Sequence, residues 1–103
     1  MAQTGLTSRD ALGTGSQDGA QTSTTALAAN TARTYFQIQN QSTSPLFVYF
    51  GASGSTSKYH FILKGCTGAA DGTGGSYSSG ATTWRGLVTV AASGTPSYSV
   101  VEL

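Results

Sequence analysis

The sequence predicts an all-β fold, a small antiparallel β-sandwich or barrel of about five to seven strands with an extended polar N-terminal arm. From Arg33 onward, short runs of aromatic and β-branched residues alternate with Gly, Ser, Thr and Pro, a pattern typical of strands and turns. No apolar repeat of helical period extends beyond a turn or two in that part of the chain. With 103 residues, the chain has room for one domain.

Five runs carry the strand pattern, and they cover residues 34–40, 46–50, 58–63, 83–90 and 97–103. The run 46–50 is apolar at every position, which indicates a strand covered on both faces, with a partner chain as one possible cover. In the run 58–63, alternation places Tyr59 with the other odd-numbered residues on one face and His60 with Ile62 on the other. The edges of such a small sheet protein need pairing or protection, and subunit association is the simplest protection.

We predict that residues 1–32 form the arm and residues 33–103 the sandwich domain. The large aliphatic residues of the arm after Met1 are Leu6, Leu12 and Leu27, and they follow neither a strand nor a helix period. Alone, such a segment buries too little apolar area to offset its conformational entropy, but it can become ordered on a partner. Fully extended, about thirty residues reach roughly 100 Å, far enough to cross a neighbouring subunit. A tail with no role is the alternative.

A glycine-rich loop is predicted between the third and fourth runs. Residues 65–83 contain six glycines and one large side chain, Tyr77, before the next run begins. Loops of more than about 15 residues are uncommon in compact domains unless they are functional or disordered. We therefore expect a long mobile loop here.

The composition favours an assembled protein. Only 9% of the residues are charged, whereas soluble proteins average about 25%. Serine, threonine and glycine take the place of the charged residues at the surface. Because hydroxyl groups can hydrogen-bond to nearby backbone while unpaired charges are costly to bury, such a surface is easily covered by partners.

Several partner classes are disfavoured by the same composition. The five lysine and arginine residues are scattered, so the sequence predicts no patch that could neutralise a run of phosphates and therefore no nucleic-acid partner. No apolar run approaches the roughly 20 residues that span a bilayer, and the N-terminus has no signal-peptide pattern. We expect a soluble protein made in the cytoplasm, with no membrane partner.

Catalytic chemistry is not predicted, and neither is a cofactor or a metal site. The four acidic residues lie outside the interiors of the predicted strands and form no carboxylate pair. His60 has no placed acid and nucleophile, which makes it a half-buried or interface residue rather than a base. Cys66 is the single cysteine, so neither a disulfide nor a zinc-ligand spacing exists. The glycines of residues 72–77 do not continue into the Gly-Lys-Ser/Thr of a phosphate-binding loop.

The order of motifs resembles that of small virion proteins of tailed bacteriophages, in particular capsid decoration (cement) proteins and related head or tail accessory proteins. The resemblance covers roughly the last seventy residues and rests on short blocks at residues 33–42, 46–51, 63–65, 86–90 and 100–102. In proteins of this kind the first two blocks form a hairpin and the last block supplies a closing strand. The long loop at residues 65–83 departs from the compact connection that such proteins are expected to have.

The resemblance implies a structural protein of the virion, located on the capsid surface, which binds the major capsid protein across capsomer junctions and associates as a homotrimer or dimer. On this hypothesis, the arm reaches along the shell or a sister subunit, and aromatic residues of the domain pack the core or the self-association surface. The residues expected to make these contacts are Leu6, Leu12 and Leu27 in the arm and Phe47, Tyr49 and Trp84 in the domain.

Three alternatives stay open. A head-fibre or tail-associated subunit would use the loop around Tyr77 to touch a host surface. A carbohydrate- or receptor-binding module would use Phe47, Tyr49 and Trp84 as an open stacking platform. A small enzyme would depend on His60, and it is the remotest of the three.

Overall fold

The computed structural model describes residues 9–14, 23–80, 82–94 and 96–103, and for residues 9–14 it describes the backbone and its pairing. The antiparallel β-sandwich predicted from the sequence is confirmed. Within these ranges, no helix is long and apolar enough to cross a membrane. The strands that the structure describes are β1 (Arg9–Thr14), β2 (Thr24–Leu27), β3 (Phe36–Asn40), β4 (Leu46–Phe50), β5 (Phe61–Leu63), β6 (Ser76–Ser78), β7 (Val88–Ala91) and β8 (Ser97–Glu102).

The strands form two four-stranded sheets. The first sheet has the order β1-β8-β3-β6 and the second has the order β2-β7-β4-β5. Every pairing is antiparallel, with Ile38 opposite Val100 in the first sheet and Val48 opposite Val90 in the second. The connections from β3 to β4 and from β7 to β8 both pass from one sheet to the other.

The core lies between the two sheets, and alternate residues of β3, β4, β5 and β8 point into it. In β3, Phe36 and Ile38 are buried while Gln37 is exposed, so the period of two found in the sequence places the apolar residues on one face. Fully burying an aliphatic or aromatic side chain contributes about 1.5–3 kcal/mol. The apolar residues buried together here are Ala26, Leu27, Phe36, Ile38, Leu46, Val48, Leu63, Val88, Val90, Tyr98 and Val100.

Three strands lie where no strand was predicted. Within the predicted arm, β1 pairs along β8 and β2 pairs with β7, with a register shift between Thr25 and Leu27. Within the predicted loop, β6 pairs with β3 and places Tyr77 opposite Ile38. The loop prediction was therefore wrong for residues 76–78, because an open edge of β3 supplies hydrogen-bonding partners that the local pattern does not reveal.

Two strands begin later than predicted. The run 58–63 forms a strand only from Phe61, and the run 83–90 only from Val88. The residues before Phe61 form a turn closed by a bridge between Ser55 and Lys58, and Gly54 packs against Tyr49 and Thr89 of the second sheet. The residues before Val88 are held instead by an arginine side chain.

That arginine is Arg33, which is fully buried immediately before β3. Its Nε donates to Glu102 Oε1 at 2.8 Å, and its Nη2 donates to the Ala28 carbonyl at 2.6 Å. Its Nη1 donates to the carbonyls of Trp84, at 2.9 Å, and Gly86, at 3.1 Å. These groups, the Arg33 cluster, tie the end of β2, the approach to β7 and the end of β8 to the start of β3. The charge is satisfied because each of these contacts is a charge-assisted hydrogen bond.

A second buried polar side chain, Asn40, fixes the opposite end of β3. Its amide nitrogen donates to the carbonyls of Ser44, Leu63 and Lys64, and its amide oxygen accepts from the backbone N–H of Ser42. One side chain therefore holds the turn after β3 against the end of β5. Buried polar groups are tolerated when they are hydrogen-bonded in this way.

We predict that Arg33→Ala lowers the free energy of unfolding by about 3–5 kcal/mol, because it leaves a partly buried carboxylate and three carbonyls without their donor. Urea denaturation measures the change. Lys64→Ala, at an exposed position, is the control and should shift the free energy by no more than about 0.5 kcal/mol. Equal effects of the two substitutions would contradict the structural role of the cluster.

A second prediction concerns Gly74, which packs directly against β3. A Cβ atom there would overlap the Asn40 carbonyl oxygen and would lie 2.9 Å from the Cys66 sulfur. Gly74→Ala should therefore lower the free energy of unfolding by about 1–3 kcal/mol. Gly80→Ala is the matched control, since a Cβ there meets nothing within 4 Å. Thermal unfolding of the two variants should separate them, and similar melting temperatures would be evidence against the close approach.

Candidate interaction surface

The outer face of the second sheet carries large apolar side chains that point away from the core. In β4, alternation turns Leu46 and Val48 inward, so Phe47 and Tyr49 point outward and are half-buried. Phe47 lies opposite Ile62 of β5. The continuous apolar run of β4 therefore covers the core with one set of side chains and forms a surface with the other.

Five side chains form this surface, which we call the aromatic face: Phe47, Tyr49, Tyr59, His60 and Ile62. The rings of Phe47 and Tyr59 meet edge to face, with centroids 5.0 Å apart, and those of Tyr49 and His60 stack at 4.6 Å. Tyr59 remains 42% exposed and Ile62 47% exposed. The rings hold one another in place while leaving apolar area open to a partner.

The segment 51–60 fixes the aromatic face from one side. The backbone N–H of Gly54 donates to Thr89 Oγ1 at 3.1 Å, which buries that threonine although it belongs to the outer face of β7. At the end of the segment, His60 Nδ1 accepts a hydrogen bond from the Phe50 N–H at 3.0 Å. The imidazole is therefore held in one orientation by the backbone of β4.

Lys58 borders the aromatic face. Its Nζ lies 5.0 Å from the centroid of the Tyr49 ring, within the range of a cation–π contact. Lys64 is exposed and follows β5 directly, two residues after Ile62. Positive charge therefore lies over the aromatic face at Lys58 and next to β5 at Lys64.

The outer face of the first sheet has the opposite character, because it presents amide and hydroxyl groups. Gln37 and Ser78 lie opposite each other in β3 and β6, and both are exposed. Gln41 Nε2 donates to Ser99 Oγ at 3.2 Å on the same side. This polar face carries few apolar side chains among the described residues, the half-buried Val101 being one.

An acidic turn lies beside the polar face. Gln39 Nε2 donates to the Gly72 carbonyl at 3.3 Å, which joins the turn at residues 67–73 to β3. Within the turn, the Asp71 carboxylate accepts hydrogen bonds from the hydroxyl and backbone N–H of Thr73 and from the Thr67 hydroxyl at 2.7 Å. These bonds, above all those from Thr73, hold the pKa of Asp71 well below its usual range, since they stabilise the ionised form.

The structure separates the residues predicted as contacts. Phe47 and Tyr49 lie together on the aromatic face. Trp84 is 41% exposed, but it lies at the Arg33 cluster, where its ring stacks on Phe50. Leu27, predicted to contact a partner, lies in the chain's own core, where the pairing of β2 with β7 leaves it 6% exposed.

Two predicted contacts lie wholly or partly outside the described structure. Leu6 falls outside the described residues. Leu12 belongs to β1, where its backbone lies opposite Ser99 of β8. The backbone pairing of β1 shows that part of the predicted arm joins the first sheet.

Sequence reasoning did not identify Tyr59 and Ile62 as members of one surface. The alternation of the run 58–63 predicted opposite faces for them, and it was wrong for Tyr59 because the strand begins only at Phe61. For Ile62, the signal was present, since it alternates with the inward residues Phe61 and Leu63. Lys58 could not be placed at all without the fold of the segment 51–60.

The described part of the chain contains no enclosed binding site, because no pocket opens among these residues. No group of three or more His, Cys, Asp or Glu side chains in these residues is arranged to hold a metal ion. Cys66 is buried, and its thiol donates to the Asn40 carbonyl at 3.3 Å.

Asp71 predicts a local acid response. Because its pKa in the folded protein is lower than in the unfolded chain, the carboxylate stabilises the turn fully above about pH 4, and that stabilisation is lost as the pH falls towards the folded pKa. Amide exchange at Gly68 and Thr73, followed by NMR from about pH 6 to about pH 2, should show protection lost at the acid end. Asp71→Asn should remove this dependence on pH. An unchanged profile in that variant would disprove the role of the carboxylate.

Comparison with known proteins identifies no relative of this chain: no protein-family model, no curated protein and no solved structure matches it.

Proposed function

We propose that this chain is a structural protein of a bacteriophage virion, which binds the outside of the capsid across capsomer junctions and stabilises the shell. The observation that carries the proposal is the aromatic face, where Tyr59 and Ile62 are each more than two fifths exposed within a set of packed rings. Exposed apolar area that is contiguous and rimmed by polar groups is typical of protein interaction sites. The motif resemblance of residues 33–102 gives the class of partner.

The geometry of the aromatic face suits binding without a large loss of entropy. Phe47 and Tyr49 are fixed by β4, and their ring partners Tyr59 and His60 are fixed by the bridged segment before β5. Side chains already held in one arrangement lose little rotamer freedom when a partner covers them. Aromatic residues of this kind are enriched among the residues that dominate binding energy.

Shell stabilisation follows from selective binding. A protein that binds the assembled shell and not free capsomers shifts the equilibrium towards the shell by mass action. Association of the chain as a homotrimer would place several aromatic faces on one particle, and the resulting effective concentration would strengthen individually weak contacts. Cyclic symmetry is the arrangement that closes such an assembly.

A second candidate function is binding of a carbohydrate receptor, and Trp84 favours it. Its indole stacks on Phe50 with an interplanar angle of 8°, and its Nε1 donates to the Leu87 carbonyl at 2.9 Å. A fixed and partly exposed indole can stack on a sugar ring. Glycan-array binding that is lost in Trp84→Ala and kept in Ile62→Ser would support this function over shell binding.

We predict that Ile62→Ser weakens binding to empty shells of the major capsid protein from the same genome by about tenfold or more, because it removes the most exposed apolar side chain of the aromatic face. Co-sedimentation over a range of protein concentrations measures the affinity. Val101→Ser removes a branched aliphatic side chain from the polar face and should change the affinity less than about twofold. If wild-type protein does not co-sediment with the shells, the proposed function is wrong.

A further inference from the structure

We propose that the aromatic face binds a protein surface that is apolar at its centre and carries carboxylates at its edge, so that the polar face of the first sheet points to solvent. This inference rests on the proposed function for the identity of the partner, and it adds which side of the subunit meets the shell and what chemistry the shell presents there.

Positive charge accompanies the apolar centre of the aromatic face. Lys58 lies over the Tyr49 ring, and the exposed Lys64 follows Ile62 by two residues, directly after β5. In a chain with only 9% charged residues, this is a notable share of the available charge. Positive charge around an apolar centre is complementary to an apolar surface bordered by carboxylates.

The described carboxylates are engaged elsewhere. Asp71 accepts hydrogen bonds within the turn beside the polar face, and Glu102 pairs with Arg33, where its side chain is 14% exposed. Among the described side chains, no salt bridge joins either carboxylate to Lys58 or Lys64. The partner must supply the opposite charge when the face is covered.

The charge of the aromatic face also distinguishes a second copy of this chain from a different protein as its partner. Two copies joined through the aromatic face by a two-fold axis would bring two sets of lysines into one interface, with no described carboxylate between them. Like charges placed together in an interface disfavour association. We therefore assign the aromatic face to a different, acidic protein surface, and any self-association to other parts of the chain.

Nucleic acid fits the aromatic face less well, although its phosphates are also anionic. Binding to a phosphate backbone uses a row of cations, whereas the aromatic face presents two lysines around Phe47, Tyr59 and Ile62. The apolar centre would remain uncovered against a ribose-phosphate backbone. A protein surface covers both the apolar centre and the charged rim.

The test uses two variants of the full chain that lower its net charge equally. Lys58→Gln with Lys64→Gln removes positive charge at the aromatic face, whereas Ser76→Glu with Ser78→Glu adds negative charge at the exposed positions of β6, in the opposite sheet. Thermal unfolding checks that both variants fold like the wild type. The ligands are empty shells, a short peptide of alternating glutamate and leucine, the same peptide with lysine for glutamate, and a short single-stranded DNA.

The lysine variant should bind the shells and the glutamate peptide about tenfold or more weakly than the wild type, while the serine variant changes less than about twofold. NMR shift changes on adding the glutamate peptide should map to Phe47, Tyr59 and Ile62. Equal weakening by both variants, equal binding of the lysine peptide, or tighter binding of DNA at these residues would overturn the inference. A dimer of the free chain with the same residues buried would also overturn it, since the occupant would then be a second copy.

The outcomes separate this inference from the proposed function. If the wild type ignores the shells but binds the glutamate peptide at the aromatic face with the expected dependence on Lys58 and Lys64, the proposed function is wrong and the acidic partner stands. If the shells bind equally well with and without the two lysines, the inference is wrong and the capsid role stands.

Discussion

The fold depends on the burial of one charged side chain, the guanidinium of Arg33. It is fully buried, and its four hydrogen bonds join Glu102 and the carbonyls of Ala28, Trp84 and Gly86 to the start of β3. An unpaired charge in this position would cost several kcal/mol, so the surrounding segments must stay in place for the domain to fold. Short connections have little regular structure of their own. The planar guanidinium of Arg33 therefore fixes the paths of the segments that carry Ala28, Trp84 and Gly86, and Glu102.

The two outer faces follow from how β3 and β4 are held. The Arg33 cluster at one end and Asn40 at the other fix β3 in register, so Gln37 and Gln39 form an outer row next to Ser99. In the second sheet, only one face of the apolar strand β4 packs against the core. Its other face is covered in part by the segment 51–60, and the remainder becomes the aromatic face. The difference between the two outer faces is thus a result of placing one amphipathic and one wholly apolar strand in opposite sheets.

The different chemistry of the two faces also accounts for the low charge of the chain. On the polar face, amide and hydroxyl groups hydrogen-bond to one another, as Gln41 does with Ser99, and they remain compatible with water. On the aromatic face, Lys58 covers the Tyr49 ring and keeps the apolar surface hydrated at one border. A chain whose polar face is hydrated through amide and hydroxyl groups needs few charges on that side.

The sequence by itself determined the strands whose signal is local: the alternation of Phe36 and Ile38, the apolar run of β4 and the alternation before Glu102 are visible in single segments and predict both the strand and its buried face. Only the tertiary structure decided the rest. Residues 24–27 and 76–78 became strands because neighbouring strands offered unpaired backbone groups, and the partners of Arg33 lie up to 69 positions away in the chain. Tyr59 joined Phe47 because the segment before β5 folds back over the sheet. Local patterns report which residues avoid water, but the pairing of distant segments depends on which edges and donors the completed fold leaves open.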